Sequence, residues 1–559
     1  MPAGRRPVLL AVLALLGEPG GAHGEVSLRL GDPALQALSG RLAPTLEANR
    51  KELRGRTGLV RGFGAGTAYP QIWLRDSATL LPLARWLYPR DYLDSWLVEH
   101  LAHQRADGAL RDWIAAGSPS AFRRDAPAVE AVYREGPVVI SADRNTTEAD
   151  QEASAVEAAH QVFRITADRA WLRGAVAGRP LVDRLDAALA FVLRARFSRR
   201  YGLVTSAFTA DWGDVSPVYG DQRAIYLDNR TPVVAGLYTN ALFCQAARDL
   251  AALLGAAGRP GRARFWAEQA RRVAAAVGRQ LWQDERGFYR LHLVESAPVG
   301  WAAPDDADVF ALGGNAVAVL AGLADARQAA RIFAVAEERR QRFGLSTVAG
   351  TLLPPYPRGV FRHPILREPY TYQNGGQWDW FGGRLVQAEF ERGHAGLARR
   401  QLGQIAGRAV RSGGMREWAT RDGAGRGSAA YAGSAGALGA ALIAGLFGVD
   451  LHDGRLDLTV RLAEEEGELR LAEPATGTAV ACSSDYDARS GTLRVRYSSG
   501  ARRPGILRVR LPERMRPAST TLDGRPVPGR VEAVGEDAYV RLTTSAGDHE
   551  LRVQLTPGR

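Results

Sequence analysis

From residue 32 to about residue 449, apolar residues recur at spacings of three and four. The runs are 35–46, 79–86, 93–101, 154–163, 181–192, 237–254, 265–281, 316–323, 329–336, 385–390, 395–405 and 433–447. This period gathers apolar side chains on one face of an α-helix, and it predicts about a dozen helices. Two kinds of connection separate the runs. Short ones such as Tyr88-Pro89-Arg90-Asp91 predict helix hairpins. Long ones, rich in Gly, Pro, Trp and Asp, are too polar and aromatic to be spacers, and long loops in compact domains are usually functional. Alternating short and long connections along paired helices predict a helical toroid with its long loops at one mouth.

Beyond Val449 the period changes to two. Alternation over 456–462, 468–471, 492–498, 505–511, 520–522, 538–543 and 549–555, broken by turns such as Asp523-Gly524, predicts an antiparallel β-sandwich. It carries no evident row of aromatic side chains, so it is expected to be a structural appendage rather than a binding module. The expected organisation is a segment 1–24 removed on export, a catalytic domain 25–450 and a β-sandwich 451–559.

Composition adds limits. The chain has 559 residues, 46% of them hydrophobic, which suits about two or three well-cored domains. The net charge of +12 is almost all arginine, since Lys51 is the only lysine. The arginines are scattered and lack a basic-aromatic motif, so no nucleic-acid partner is expected. Arg5-Arg6, the apolar run 8–16 and the small residues up to Ala22-His23-Gly24 have the layout of a secretory signal, which predicts a secreted or periplasmic protein. No later apolar run is long enough to span a membrane. Cys244 and Cys482 fall in different predicted domains, and zinc-ligand spacing is absent, so neither a disulfide framework nor a metal or other cofactor is expected.

Four stretches carry candidate chemistry. Asp211-Trp212-Gly213-Asp214-Val215-Ser216-Pro217 sets two carboxyls around a Trp in a loop between helical runs. Indole packs on the C–H faces of sugars, and a carboxyl can protonate a glycosidic oxygen; Asp, Gly and Ser also suit a plain helix cap or turn. Tyr69-Pro70-Gln71-Ile72-Trp73-Leu74-Arg75-Asp76-Ser77, read as lying just ahead of a helix, sets a forked donor beside an acceptor, able to grip neighbouring hydroxyls. Tyr372-Gln373-Asn374-Gly375-Gly376-Gln377-Trp378-Asp379-Trp380 joins aromatics and amides around a Gly-Gly that lets backbone approach a ligand. Gly413-Gly414-Met415-Arg416-Glu417-Trp418 can aim Glu417 into a cleft. The polar helix entries Asp107 to Trp113 and Thr147 to Glu152 are weaker candidates for the mouth.

In order and spacing these stretches resemble the six-hairpin glycosidases, an (α/α)6 toroid clan that includes glucoamylases, trehalases, neutral invertases and the mannosylglycerate hydrolase/processing α-glucosidase family. Trp73, Arg75 and Asp76 match the Trp-x-Arg-Asp motif that binds the non-reducing sugar in glucoamylase-like enzymes. Asp214-Val215-Ser216-Pro217 is similar to the segment bearing the general acid in the mannosylglycerate hydrolase family, which selects Asp214 over Asp211. Tyr372, Gly375 and Trp378 match a site-lining Tyr-x-x-Gly-x-x-Trp segment, and Glu417 stands where the clan places its general base, ahead of a Gly-rich loop and the last helix. The Tyr-Asn-Pro signature of the glucosidase family is missing near Glu417, and Trp-Leu-Arg-Asp-Ser is equally similar to an exo-α-mannosidase family.

The resemblance implies a mainly α fold, an (α/α)6 toroid followed by the small β-sandwich, and an inverting hydrolase of α-linked gluco- or manno-configured glycosides. Asp214 is the expected acid and Glu417 the expected base. Arg75 and Asp76 are expected to hold the terminal ring, Trp73, Trp212, Tyr372 and Trp378 to stack on it, Asn374 and Gln377 to supply hydrogen bonds, and Trp418 to contact the substrate. Rival readings are a glycoside phosphorylase on the same toroid, a polysaccharide lyase, and a non-catalytic carbohydrate-binding protein. A phosphorylase needs only one of the two carboxyls, and a lyase usually needs a Tyr/His pair where His is sparse.

Overall fold

The computed structural model describes residues 24–122 and 128–558. The segment read as an export signal, up to residue 23, lies outside the described residues. Each of the twelve periodic runs is a helix. They are α1 (Pro33–Glu47), α2 (Leu74–Ala84), α3 (Arg90–Ala102), α4 (Gln151–Thr166), α5 (Leu181–Ala195), α6 (Leu237–Ala256), α7 (Pro260–Gln280), α8 (Leu312–Leu320), α9 (Ala326–Arg342), α10 (Asp379–Glu391), α11 (Ala395–Arg411) and α12 (Ala432–Ala440), the last running on into a π-helical turn, Ala441–Leu446. The starts follow local chemistry. Asp32 caps α1 ahead of Pro33, and Asp325 and Gln328 close a capping box on α9. Helix α2 begins one residue after Trp73, so Arg75, Asp76 and Ser77 stand inside its first turn rather than ahead of it.

Packing runs in a closed cycle. Helix α2 contacts α4, α4 contacts α6, α6 contacts α8, α8 contacts α10, α10 contacts α12, and α12 returns to α2. The alternate helices lie outside: α1 on α11 and α12, α3 on α2 and α4, α5 on α4 and α6, α7 on α6, α9 on α8, and α11 on α10. Composition separates the two sets. Every residue of α12 is buried, and its small side chains allow close approach: a Cβ on Gly436 would come within 2.7 Å of the Thr79 carbonyl on α2. Helix α9, rich in Arg and Glu, buries one stripe.

The strands beyond Val449 form two sheets. One has seven strands in the order Glu25–Leu30, Gly467–Glu473, Thr478–Asp487, Thr492–Ser499, Gly547–Pro557, Met515–Leu522, Arg525–Pro526. The other has five: Val449–His452, Arg455–Val460, Gly505–Arg510, Asp537–Thr544, Arg530–Val534. Three features differ from the sequence expectation. Arg455–Val460 and Gly505–Arg510 pair in parallel, so the region is not wholly antiparallel. Thr478–Asp487 is a strand of 10 residues that falls outside the alternating runs. The N-terminal strand Glu25–Leu30 adds to the edge of this sheet, with Val26 opposite Leu471. Buried polar contacts fix the sheets to the helices: Arg85 Nε donates to Glu473 Oε1 at 2.7 Å, and Asp537 Oδ2 accepts from Ala395 N at 3.0 Å. A four-stranded sheet built from Ile72–Trp73, Trp113–Ala116, Val138–Asp143 and Glu130–Glu135 lies among the long loops; its short strands carry no readable period. Cys244 and Cys482 are both buried and unpaired, and no helix among the described residues is long and apolar enough to cross a membrane.

Candidate active site

The loop from α5 to α6 treats its two carboxyls differently. Asp211 has φ +59° and is buried, and both its oxygens accept from Gly314 N, at 3.2 and 3.0 Å, in the first turn of α8. Burial pushes its carboxyl up to about 7, against the pull of the Gly314 and Gly313 amides. Asp211 is therefore a helix cap. Trp212 is 3% exposed and packs on Trp378, Trp380 and Phe381 at centroid distances of 4.8, 5.3 and 4.6 Å. Asp214 lines a cavity of about 480 Å³ together with Tyr69, Trp73, Asp112, Trp113 and Tyr372. Its Oδ1 is buried without a hydrogen-bond partner. Its main chain is pinned instead: the carbonyl accepts from Asn145 Nδ2 at 2.9 Å, and the Thr147 hydroxyl lies 3.0 Å away.

Glu417 precedes the short strand Trp418–Ala419 and is 4% exposed. Oε1 accepts from the Tyr69 hydroxyl at 2.9 Å, and Oε2 from Ser428 N at 2.9 Å. Burial raises its pKa. The two donors pull it down, and the Asp214 and Asp76 charges push it up. Gly427, at φ +67°, passes so close that a Cβ would meet Glu417 Oε2 at 2.4 Å; only glycine serves there. Burial, then the Glu417 charge, hold the Tyr69 phenol well above its ordinary value, so it stays a donor.

The remaining site residues divide. Trp73 and Tyr372 are on the cavity wall. Tyr372, at φ +45°, has its phenol raised by burial and then by the Asp214 and Glu417 charges. Asp76 is 6% exposed and accepts from the Tyr431 hydroxyl at 3.0 Å; burial pushes it up and Arg75 pulls it down. Arg75 is not an open fork on the wall. Its Nη2 lies 3.2 Å from Glu148 Oε1 and its Nη1 3.2 Å from Asp150 Oδ2. Asn374 and Gln377, expected to bond sugar, are fully buried and serve the protein. Asn374 bonds the Tyr356 amide and carbonyl and the Leu366 carbonyl. Gln377 joins Thr347 to the Thr420 carbonyl. Trp378 is 1% exposed, with Nε1 donating to the Tyr372 carbonyl, so like Trp212 it supports the floor rather than the wall. Trp418 stands beside Tyr372, with ring centroids 6.3 Å apart.

Several partnerships in the site carry no sequence signal, although Tyr69 itself opens the stretch Tyr69 to Ser77. Tyr69 and Tyr431 hold Glu417 and Asp76 from more than 340 positions away, a link no local pattern carries. Asp112 and Trp113, from one of the weaker stretches, are on the wall; Glu148 and Asp150, from the other, pair with Arg75. So many carboxyls gather here partly because inner helices point their N-termini at the site. Asp76 lies in the first turn of α2, Asp150 at the start of α4, and Asp211 at the start of α8. The positive end of a helix favours negative charge.

Residues 69–432 match the family described as the mannosylglycerate hydrolase MGH1-like glycoside hydrolase domain. The chain belongs to this family. The match takes in every site residue named above, from Tyr69 to Tyr431. No curated protein matches the chain. Among solved structures, an α-L-rhamnosidase from Dictyoglumus thermophilum is similar over 95% of this chain and 50% of its own, with TM-score 0.61 and 12% identity. A GH78 family rhamnosidase of Bacillus sp. GL1 is similar over 88% and 43%, with TM-score 0.58 and 17% identity. The GH63 mannosylglycerate hydrolase from Thermus thermophilus, in complex with Tris and D-glycerate, is similar over 72% and 99%, with TM-score 0.50 and 20% identity. At these identities the likeness is one of fold, and the chain spans about half the length, or less, of the two rhamnosidase chains. Membership places the chain in a glycoside hydrolase family.

Proposed function

We propose that the protein is an exported, inverting glycosidase of α-linked gluco- or manno-configured glycosides. Its helices are read as an (α/α)6 toroid with a C-terminal β-sandwich, a reading supported by the closed cycle of inner-helix contacts. One observation carries the mechanism. Asp214, before α6, and Glu417, before α12, come from loops 203 positions apart (417 − 214), yet Asp214 shares its cavity with Tyr69, whose hydroxyl donates to Glu417 Oε1 at 2.9 Å.

In this mechanism protonated Asp214 gives its proton to the glycosidic oxygen, for which Oδ1 has been left without a protein partner. Ionised Glu417, held by Tyr69 and Ser428 N, takes a proton from water attacking the opposite face of the ring. Trp73 and Tyr372 stack on the sugar. Sugar release from a panel of α-glucosides, α-mannosides and mannosylglycerate, with and without inorganic phosphate, tests this. Release of the reducing sugar without phosphate is expected; a sugar phosphate as product, or binding without cleavage, would contradict it. The basic and apolar N-terminal segment supports export, which predicts a mature protein starting near Glu25; an intact Met1 on material recovered from outside the cytoplasm would contradict that.

A further inference from the structure

Arg75 stands at the edge of the site, yet its donors point into the protein. Nη1 donates to the Trp212 carbonyl at 3.1 Å and to Asp150 Oδ2 at 3.2 Å. Nη2 lies 3.2 Å from Glu148 Oε1, and the guanidinium sits over the Trp212 and Trp380 rings at 5.6 Å from each. Only 12% of the side chain is exposed, and it is not among the side chains lining the cavity around Asp214.

Where the contacts lead is more informative. Glu148 Oε1 also accepts from Asn145 Nδ2 at 3.2 Å, and the other Nδ2 proton goes to the Asp214 carbonyl at 2.9 Å. Asn145 Oδ1 accepts from Thr147 N at 3.0 Å, which fixes the orientation of the amide. Gln151 Nε2 donates to the Asn145 carbonyl at 2.9 Å and to Glu148 Oε2 at 3.0 Å, locking both. Two routes therefore leave Arg75, one direct and one through Glu148 and Asn145. They end on the carbonyls of Trp212 and Asp214, either side of Gly213, the residue at which the loop would otherwise move most easily.

We propose that Arg75 positions the general acid, acting through the Trp212 carbonyl and through Glu148 and Asn145 on the main chain of Asp214, and does not hold the sugar. The inference rests on the reading of Asp214 as the acid. Its physical basis is that a displacement of about 1 Å at a reacting group can cost about a hundredfold in rate. An acid that has drifted matters most when the leaving group needs a proton and least when it departs as a stable anion.

The test uses the full-length protein and phenyl and 2,4-dinitrophenyl glycosides of a sugar that the wild type cleaves. Arg75→Lys keeps the charge but not the fork. Asn145→Ala leaves the Arg75 ion pairs in place and reads the second route if Arg75→Lys does not fold. Both are expected to lower kcat on the phenyl glycoside by roughly 10- to 100-fold, with KM little changed and kcat on the dinitrophenyl glycoside nearly normal. Added to Asp214→Asn, neither should cost much more, because the three act through one group. A raised KM with unchanged kcat would put Arg75 on the sugar and overturn the proposal. An equal loss on both glycosides would make its role merely structural and overturn it too. Normal turnover of Asp214→Asn on the phenyl glycoside would instead remove the acid assignment itself, whatever Arg75 does.

Discussion

Asp214 and Glu417 are held in opposite ways. Glu417 is gripped by its carboxylate, with one donor on each oxygen, and a glycine is required where the chain passes Oε2. Asp214 is gripped by its main chain, and its Oδ1 has no partner. The contrast matches the tasks assigned to them. A base must stay ionised and aimed, and charge-assisted donors secure both. An acid must carry a proton to an oxygen that belongs to the substrate, so bonds to its own carboxyl would compete. Asp211, three residues before Asp214, shows the cost of the alternative: with both oxygens committed to α8, it has become part of the scaffold.

The contrast is sharpened most by removing each proton-transfer group in turn. Glu417→Gln and Asp214→Asn should each fold and lose about 10²–10⁴-fold in turnover on an unactivated glycoside. With a glycosyl fluoride, which needs little protonation, Asp214→Asn should recover much of its rate and Glu417→Gln should not. Equal recovery by both variants would break the assignment. A smaller effect is expected from Tyr69→Phe. Loss of the hydroxyl removes a bond that favours ionised Glu417, so its pKa rises further. Because the base works ionised, the acidic limb of the kcat/KM profile should move to higher pH; an unmoved limb would show that Tyr69 does not tune the base.

The smallest effect on turnover is expected from Asp211→Asn, a change in the scaffold alone. Its signature lies in stability. The folded-state value near 7 is above the unfolded value of about 3.9, so the folded protein binds this proton more tightly. By linkage, the contribution of Asp211 to stability declines as pH rises between those values and is level above about 7. Denaturant unfolding at pH 5 and pH 7.5 should show a smaller decline in the variant. A turnover loss as large as that of Asp214→Asn would mean that the two aspartates share the acid's work.

The outer helices were legible because an apolar stripe such as that of α9 shows its period, and a helix is found at each of the twelve predicted runs. The order of the loops was legible too, since Trp73, Asp214, Tyr372 and Glu417 lie on motifs that hold together over a few residues. What sequence hid were partnerships across the fold. Arg75 beside Asp76 looks like an open fork until Glu148 and Asp150, more than 70 positions on, are seen to hold it. Asn374 and Gln377 look like sugar ligands because an amide in a glycine-rich aromatic loop has the same sequence whether it faces a hydroxyl or a buried carbonyl. Burial decides, and both are at 0% exposure. Trp212 and Trp378 fail the same test, drawn into an aromatic floor whose other members, Trp380 and Phe381, begin α10.

In the proposed mechanism the two carboxyls act from opposite faces of the sugar, with a water between Glu417 and the anomeric carbon. Proton NMR of the first product tests it most directly. Hydrolysis of an α-glycoside that the protein cleaves, followed before mutarotation, should give the β anomer first, because an acid and base about 6.5–9.5 Å apart leave room for water and invert the centre. The α anomer as first product would mean that a carboxylate attacks the sugar itself and would contradict the account.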